Sequence, residues 1–254
     1  MNKQIRDFLV SFLILVALLF SFYGVAYLFN NSENKNVKAV KKTEIKEKEK
    51  KKDKEKEKPY VEPYVNNLPI HRSYYGNNNI AGMILIPGLF GDTLVTRGED
   101  NEFYLDRNLW NVYDGIGAPF FDYRNTDLDH DKQVNIYGHN SQNYSILDKL
   151  PLSKLISYLD ANVFNTYKDL YLYTDTQQVH YEVIGAKVIS KDNNFHMTIH
   201  FYDDNDFIDH TYALLDGSTN KRDVKITKKD RILVLQTCNY DPPDSLVIII
   251  CKTV

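Results

Sequence analysis

Cysteine is nearly missing from this 254-residue chain: Cys238 and Cys251 are its only two, too few to staple a disulfide scaffold. An excess of either charge is missing as well, since 31 Lys and Arg meet 34 Asp and Glu for a formal net charge of -3. That balance excludes a uniformly basic nucleic-acid binder, and no nucleic-acid partner is expected. Metal-binding patterns are also lacking. His196 and His200 have helical i,i+4 spacing, yet no HExxH motif or Cys-His cluster accompanies them or His71, His130, His180 and His210, so neither a metal nor another cofactor is expected.

The small net charge hides three compositions. Residues 1–34 sum to zero, with Lys3 and Arg6 balanced by Asp7 and Glu33. Residues 35–58 hold twelve Lys and six acids, a net of +6, and residues 59–254 hold 17 bases and 26 acids, a net of -9. Within the first segment, FLVSFLILVALLFSFYGVAYLF (8–29) runs 22 residues without a charge. A helix of that length matches the ~30 Å hydrocarbon core of a bilayer. The apolar region of a cleaved signal peptide is shorter, ~7–15 residues, and precedes a small-residue cleavage site. Here bulky Tyr27, Leu28 and Phe29 end the run, which favours a retained transmembrane anchor. Lys3 and Arg6 favour a cytoplasmic N-terminus, but the Lys-rich tract just beyond the span has the same preference, so charge leaves the orientation open.

These compositions predict a short N-terminus (1–7), an anchor (8–29), a charged tether (30–58) and one folded domain (59–254). The tether is low-complexity and buries too little apolar surface to offset its ordering entropy. A solvated spacer is the expected role; a surface for anionic lipid or wall polymer is the competing one.

Beyond Pro59, residues 60–79 read as a helical or irregular lead-in. Strands are expected at 80–87, 92–98, 120–124, 134–138, 170–174, 179–190, 231–238 and 246–254. Helical insertions are expected over Tyr144–Tyr158 and Asp206–Leu215, the second with capping oxygens from Asp203–Asp206. Many short strands with few glycines argue for a mainly-β closed barrel of about eight strands.

Two reactive residues end apolar strands where the chain turns polar: His139 in NIYGHNS and Cys238 in LVLQTCNYD. A side chain at a strand mouth is held by the sheet yet open to ligand, as a nucleophile and its proton partner require. The competing reading, an inert core cysteine, suits Cys251 within LVIIICK better than Cys238, which has polar neighbours. A disulfide between the two is conceivable if the last strands pair, and it would block the nucleophile.

At these residues the sequence resembles the class B sortases, membrane-anchored cysteine transpeptidases of Gram-positive bacteria. NNNIAGMILIPG (77–88), GEDNEFYL (98–105), FFDYRN (120–125), NIYGHN (135–140) and KKDRILVLQTC (228–238) carry the resemblance, in order along the chain. It implies the sortase barrel, an uncleaved anchor, and a catalytic domain outside the cell. It also implies that Cys238 attacks a Thr carbonyl in the sorting signal of a surface protein, with His139 moving the proton and an amine of the peptidoglycan precursor resolving the thioester. Thr237 and Arg97 become candidate substrate-binding residues. Sortases also place an Arg shortly after the Cys, before the last strand. No Arg follows Cys238 here, and the equivalent slot falls on or near Ser245. Arg231 is about 23 Å away along its strand, and Arg124 suits a structural role. The resemblance therefore leaves room for a weak, scaffold-like relative or a class B pilin polymerase.

Overall fold

A computed structural model describes residues 65–142 and 149–254. The predicted anchor, the tether and the start of the first helical insertion lie outside the described residues. Among the described residues no helix is long and apolar enough to cross a membrane.

Helix α1, Leu68–Tyr75, carries Pro69 in its first turn, and Gly76 ends it in a left-handed conformation (φ 60°). Among the described residues nine strands follow: β1 (Ile80–Ile86), β2 (Phe90–Thr96), β3 (Phe120–Phe121), β4 (Gln133–Gly138), β5 (Asp169–Tyr173), β6 (Gln178–Ser190), β7 (Asn220–Lys221), β8 (Ile232–Asn239) and β9 (Ser245–Thr253). Their order is β5-β1-β2-β3-β4-β8-β9-β6-β7, and β5 also pairs with β6. That extra pairing closes eight strands into a barrel and leaves the short β7 on the outside of β6. Pairing is antiparallel except for β2 with β3 and β4 with β8.

The apolar runs in β8 and β9 are nearly continuous because both faces of these strands are covered. Leu233, Leu235, Val247, Ile249 and Cys251 point into the barrel. Ile232, Val234, Leu246, Ile248 and Ile250 point outward, under Phe207, Leu214 and Leu215 of helix α3 (Asp204–Leu215). Asp203 caps α3 by accepting from the backbone N–H groups of Asn205 and Asp206. The two cysteines are free: Cys238 shares the outward face and pairs with Leu246, while Cys251 lies inside the barrel opposite Leu233. Facing opposite sides of the sheet, they are not placed to form a disulfide.

Two expectations shift. The helix foreseen up to Tyr158 is instead a 3-10 helix, Pro151–Leu159, followed by α2 (Ala161–Thr166). Its buried residues Leu152, Leu155 and Tyr158 recur every third position, matching three residues per turn. Strand β3 stops at Phe121 because the Asp122 carboxylate takes the Arg124 backbone N–H and the Asp122 carbonyl takes that of Asn125, which turns the chain.

Candidate active site

The parallel pairing of β4 with β8 builds the site. Its register runs from Gln133↔Ile232 to Gly138↔Thr237, so the next residue of each strand brings His139 beside Cys238. Side-chain alternation puts the two on one face: Tyr137 and His139 share a side of β4, and Gln236 and Cys238 share a side of β8. Three hydrogen bonds lock this end of the pair. Thr237 Oγ1 donates to the Gly138 carbonyl (3.0 Å), Asn140 Nδ2 to the Cys238 carbonyl (3.0 Å) and the Tyr240 hydroxyl to the Asn140 carbonyl (2.9 Å).

His139 is oriented by the last residue of the short 3-10 helix Phe103–Leu105. Its Nε2 lies 2.7 Å from the Leu105 carbonyl. A carbonyl oxygen only accepts, so Nε2 carries a proton in this arrangement and Nδ1 is the nitrogen left to exchange one. Two glycines allow it. A Cβ on Gly117 (φ 66°) would stand 2.6 Å from the Tyr104 carbonyl, 2.7 Å from that of Leu105 and 3.1 Å from His139 Cδ2. A Cβ on Gly138 would meet Leu152 Cδ1 at 2.4 Å.

A buried network stands behind β4. Asp122 accepts from Arg124 Nη2 (2.7 Å) and from the Tyr137 hydroxyl (2.7 Å), and Arg124 also donates to the Met197 carbonyl (2.9 Å). Burial alone would push the Asp122 carboxyl up, but the bonds from Arg124 and Tyr137 outweigh it and hold the group below the usual range. Tyr137 is driven up by its own burial and then by Asp122. Arg124 is thus committed to structure.

The remaining sequence-predicted residues are not brought to the thiol. Thr237 faces inward and is 1% exposed, its hydroxyl spent on β4 rather than turned to the face of Cys238. Arg97 follows β2, three strand spacings or about 14 Å from β8, and donates from Nη1 to the Asn125 carbonyl (2.8 Å). There it lines a polar cleft with Arg72, Asp129 and Asp175. Ser245 is buried and points to the face opposite Cys238. Its Oγ accepts from Asn239 Nδ2 (2.9 Å) and donates to the Pro242 carbonyl, which ties off the β8–β9 turn. The residue directly across from Cys238, on the same face, is Leu246. The slot read from the sequence as on or near Ser245 thus spans both faces of the strand, because the turn length, and hence the register, is not written in the apolar pattern.

His196 and His200 also part company. His196 is buried and contacts Gln236, whereas His200 is exposed on a non-helical segment. Leu105, Gly117, Asn140, Gln236 and Leu246 were not foreseen. Of these, only Gly117 and Asn140 left a signal, as a glycine beside a turn and as a polar residue directly after the histidine.

Comparison with known proteins matches the closed eight-strand barrel to the sortase fold. No family model matches the chain. Sortase B of Listeria monocytogenes is 30% identical over 166 residues, 65% of each chain, so the match spans slightly under two thirds of that relative. Sortase B of Clostridium perfringens, solved by X-ray crystallography, superposes with a TM-score of 0.67 and 26% identity over 74% of this chain and 99% of that one. A Staphylococcus aureus sortase B–substrate complex shares the fold, with a TM-score of 0.62 and 22% identity over 73% and 85%. The chain therefore stands among homologues of the class B sortases.

Proposed function

We propose that the chain is a thiol transpeptidase that joins surface proteins to a cell-wall amine. The observation that carries this reading is the β4–β8 register, which delivers His139 and Cys238 to one end and one face of the barrel. The Cys238 thiolate attacks the carbonyl of a Thr in the sorting signal. His139 gives a proton to the departing amine, and the peptide beyond the Thr leaves. A thioester remains on Cys238 until a peptidoglycan-precursor amine, deprotonated by His139, attacks it and frees the thiol. The relatives named sortase B support this reading.

The usual Arg is replaced by Leu246 on this reading, because only a residue on the face of Cys238 reaches the developing oxyanion. Losing one such donor costs about two to three orders of magnitude in turnover, so the enzyme is slow. The alternatives, a scaffold that binds sorting signals without turning them over and a pilin polymerase, differ in outcome rather than in site. In this proposal the apolar run at 8–29 anchors the chain by a single pass in the cell membrane with the barrel outside.

The test is ligation. The full chain in detergent is mixed with a library of Thr-centred pentapeptides and triglycine, and products are read by mass spectrometry. Peptide joined through its Thr to triglycine is expected. Binding with no ligation favours the scaffold, and polymers formed on a lysine side chain favour the pilin enzyme.

A further inference from the structure

We propose that Gln236 is a substrate-positioning residue: His196 holds its side-chain amide so that the amide oxygen faces the reaction side of β8 and accepts a backbone N–H of the bound peptide. The proposal rests on the transpeptidase reading and deepens it.

In β8, Ile232 to Leu235 are buried, while Gln236 and Cys238 are partly open. They are two residues apart, so they share a face and lie about 6.6 Å from each other. That is also the two-residue repeat of an extended peptide. A strand-like substrate with its scissile carbonyl at the thiol thus brings a backbone amide to Gln236.

The orientation follows from His196, which is 1% exposed. Its Nδ1 lies 3.0 Å from the Asn193 carbonyl, which only accepts, so Nδ1 carries a proton. Its main chain is fixed too, because Gln133 Nε2 (2.7 Å) and Asn135 Nδ2 (3.3 Å) both donate to its carbonyl. The atom placed nearest His196 Nε2 is Gln236 Oε1, and a half-turn of the amide exchanges that oxygen for the nitrogen. Burial disfavours the charged ring and holds its pKa below the usual value. A neutral ring protonated on Nδ1 has a lone pair on Nε2, which selects the half-turn in which the Gln236 NH2 group donates to it. The Gln236 oxygen is then left to the peptide. No other side chain is required to fix it, and the anchoring atom is buried where water does not compete.

The experiment uses the full chain in detergent, triglycine, and the fastest-ligated member of the Thr-centred library. Each backbone N–H of that peptide is replaced in turn by an ester oxygen. In the unaltered protein one replacement is expected to lower kcat/KM about tenfold. In Gln236→Ala, KM for the parent peptide rises about tenfold with kcat changed less than about threefold, and the penalty of that ester disappears. His196→Ala moves KM in the same direction, and the double variant is no worse than Gln236→Ala. Because Gln236 is partly exposed, its variant remains testable if His196→Ala does not fold. An ester scan that is identical with and without Gln236, or a loss confined to kcat, overturns the proposal. Ligation abolished by Cys238→Ala but indifferent to Gln236 sinks only this inference, whereas no ligation of any peptide sinks the transpeptidase reading and this inference with it.

Discussion

Ser245 and Leu246 differ by one position and lie on opposite faces of β9, and this decides which of them can stand in for a cationic donor at the thiol. Leu246→Arg puts a guanidinium on the face of Cys238 and is expected to raise the ligation rate by about tenfold or more, while lowering the thermal midpoint because Leu246 is itself buried in the outer cluster. Ser245→Arg buries a charge in the β8–β9 turn, so it should lower the thermal midpoint without raising the rate. Stopped assays with both variants check this; a rate gain from Ser245→Arg alone would reverse the assignment. The buried histidines give a second residue-scale expectation. His196 and His210 are both held below the ordinary value of 6.5 by burial, and His210 packs against Phe195 at 4.3 Å with no partner for its Nε2 among the described residues. A depressed folded-state pKa means that their contribution to stability is complete above about pH 6.5 and is lost as pH falls below it. The unfolded chain then takes up protons that the folded one resists, worth up to about 1.4 kcal/mol per pH unit for each histidine. Urea midpoints should drop between pH 7.5 and 5.5, and His210→Phe should flatten the slope; equal midpoints at both pH values would contradict it.

Among the elements, the site depends on how closely β4 is approached from its flanks. Gly138→Ala forces Leu152 and the 3-10 helix away from the strand end that carries His139, so it should cut ligation at least about tenfold while costing about 1–3 kcal/mol in stability. Denaturant titration beside the ligation assay reads both; unchanged activity with full stability would show that this approach does not matter. Much of this level was legible beforehand. Strand positions followed from apolar runs, and α3 from the capping oxygens of Asp203–Asp206. Register was not legible, because β8 and β9 are apolar on both faces and their sequence does not say which residue stands opposite Cys238. The same ambiguity hid the inward turn of Thr237. The helical reading over Tyr144–Tyr158 rested on Ile146, Leu147, Leu150, Leu155 and Leu159, and only the burial of Leu152, Leu155 and Tyr158 at every third position distinguishes the 3-10 period. His139 and Cys238 were legible for a different reason: each stands where an apolar run gives way to polar residues, a boundary that any strand mouth must show.

At the scale of the whole molecule, the parallel pairing of β4 with β8 converts two residues 99 positions apart in sequence into neighbours. The charge distribution follows the same division of labour: residues 59–254 carry the net -9 and residues 35–58 the net +6. All of this depends on Cys238 being a nucleophile rather than a packed side chain of the outer cluster. The most direct measurement is the intact mass of the full chain after incubation with a ligated peptide and no amine acceptor. The account predicts a mass gain equal to the peptide through its Thr, mapped to Cys238, discharged by triglycine and absent in Cys238→Ala. A peptide that is cleaved equally well by Cys238→Ala, or that binds tightly and leaves no adduct, would contradict it.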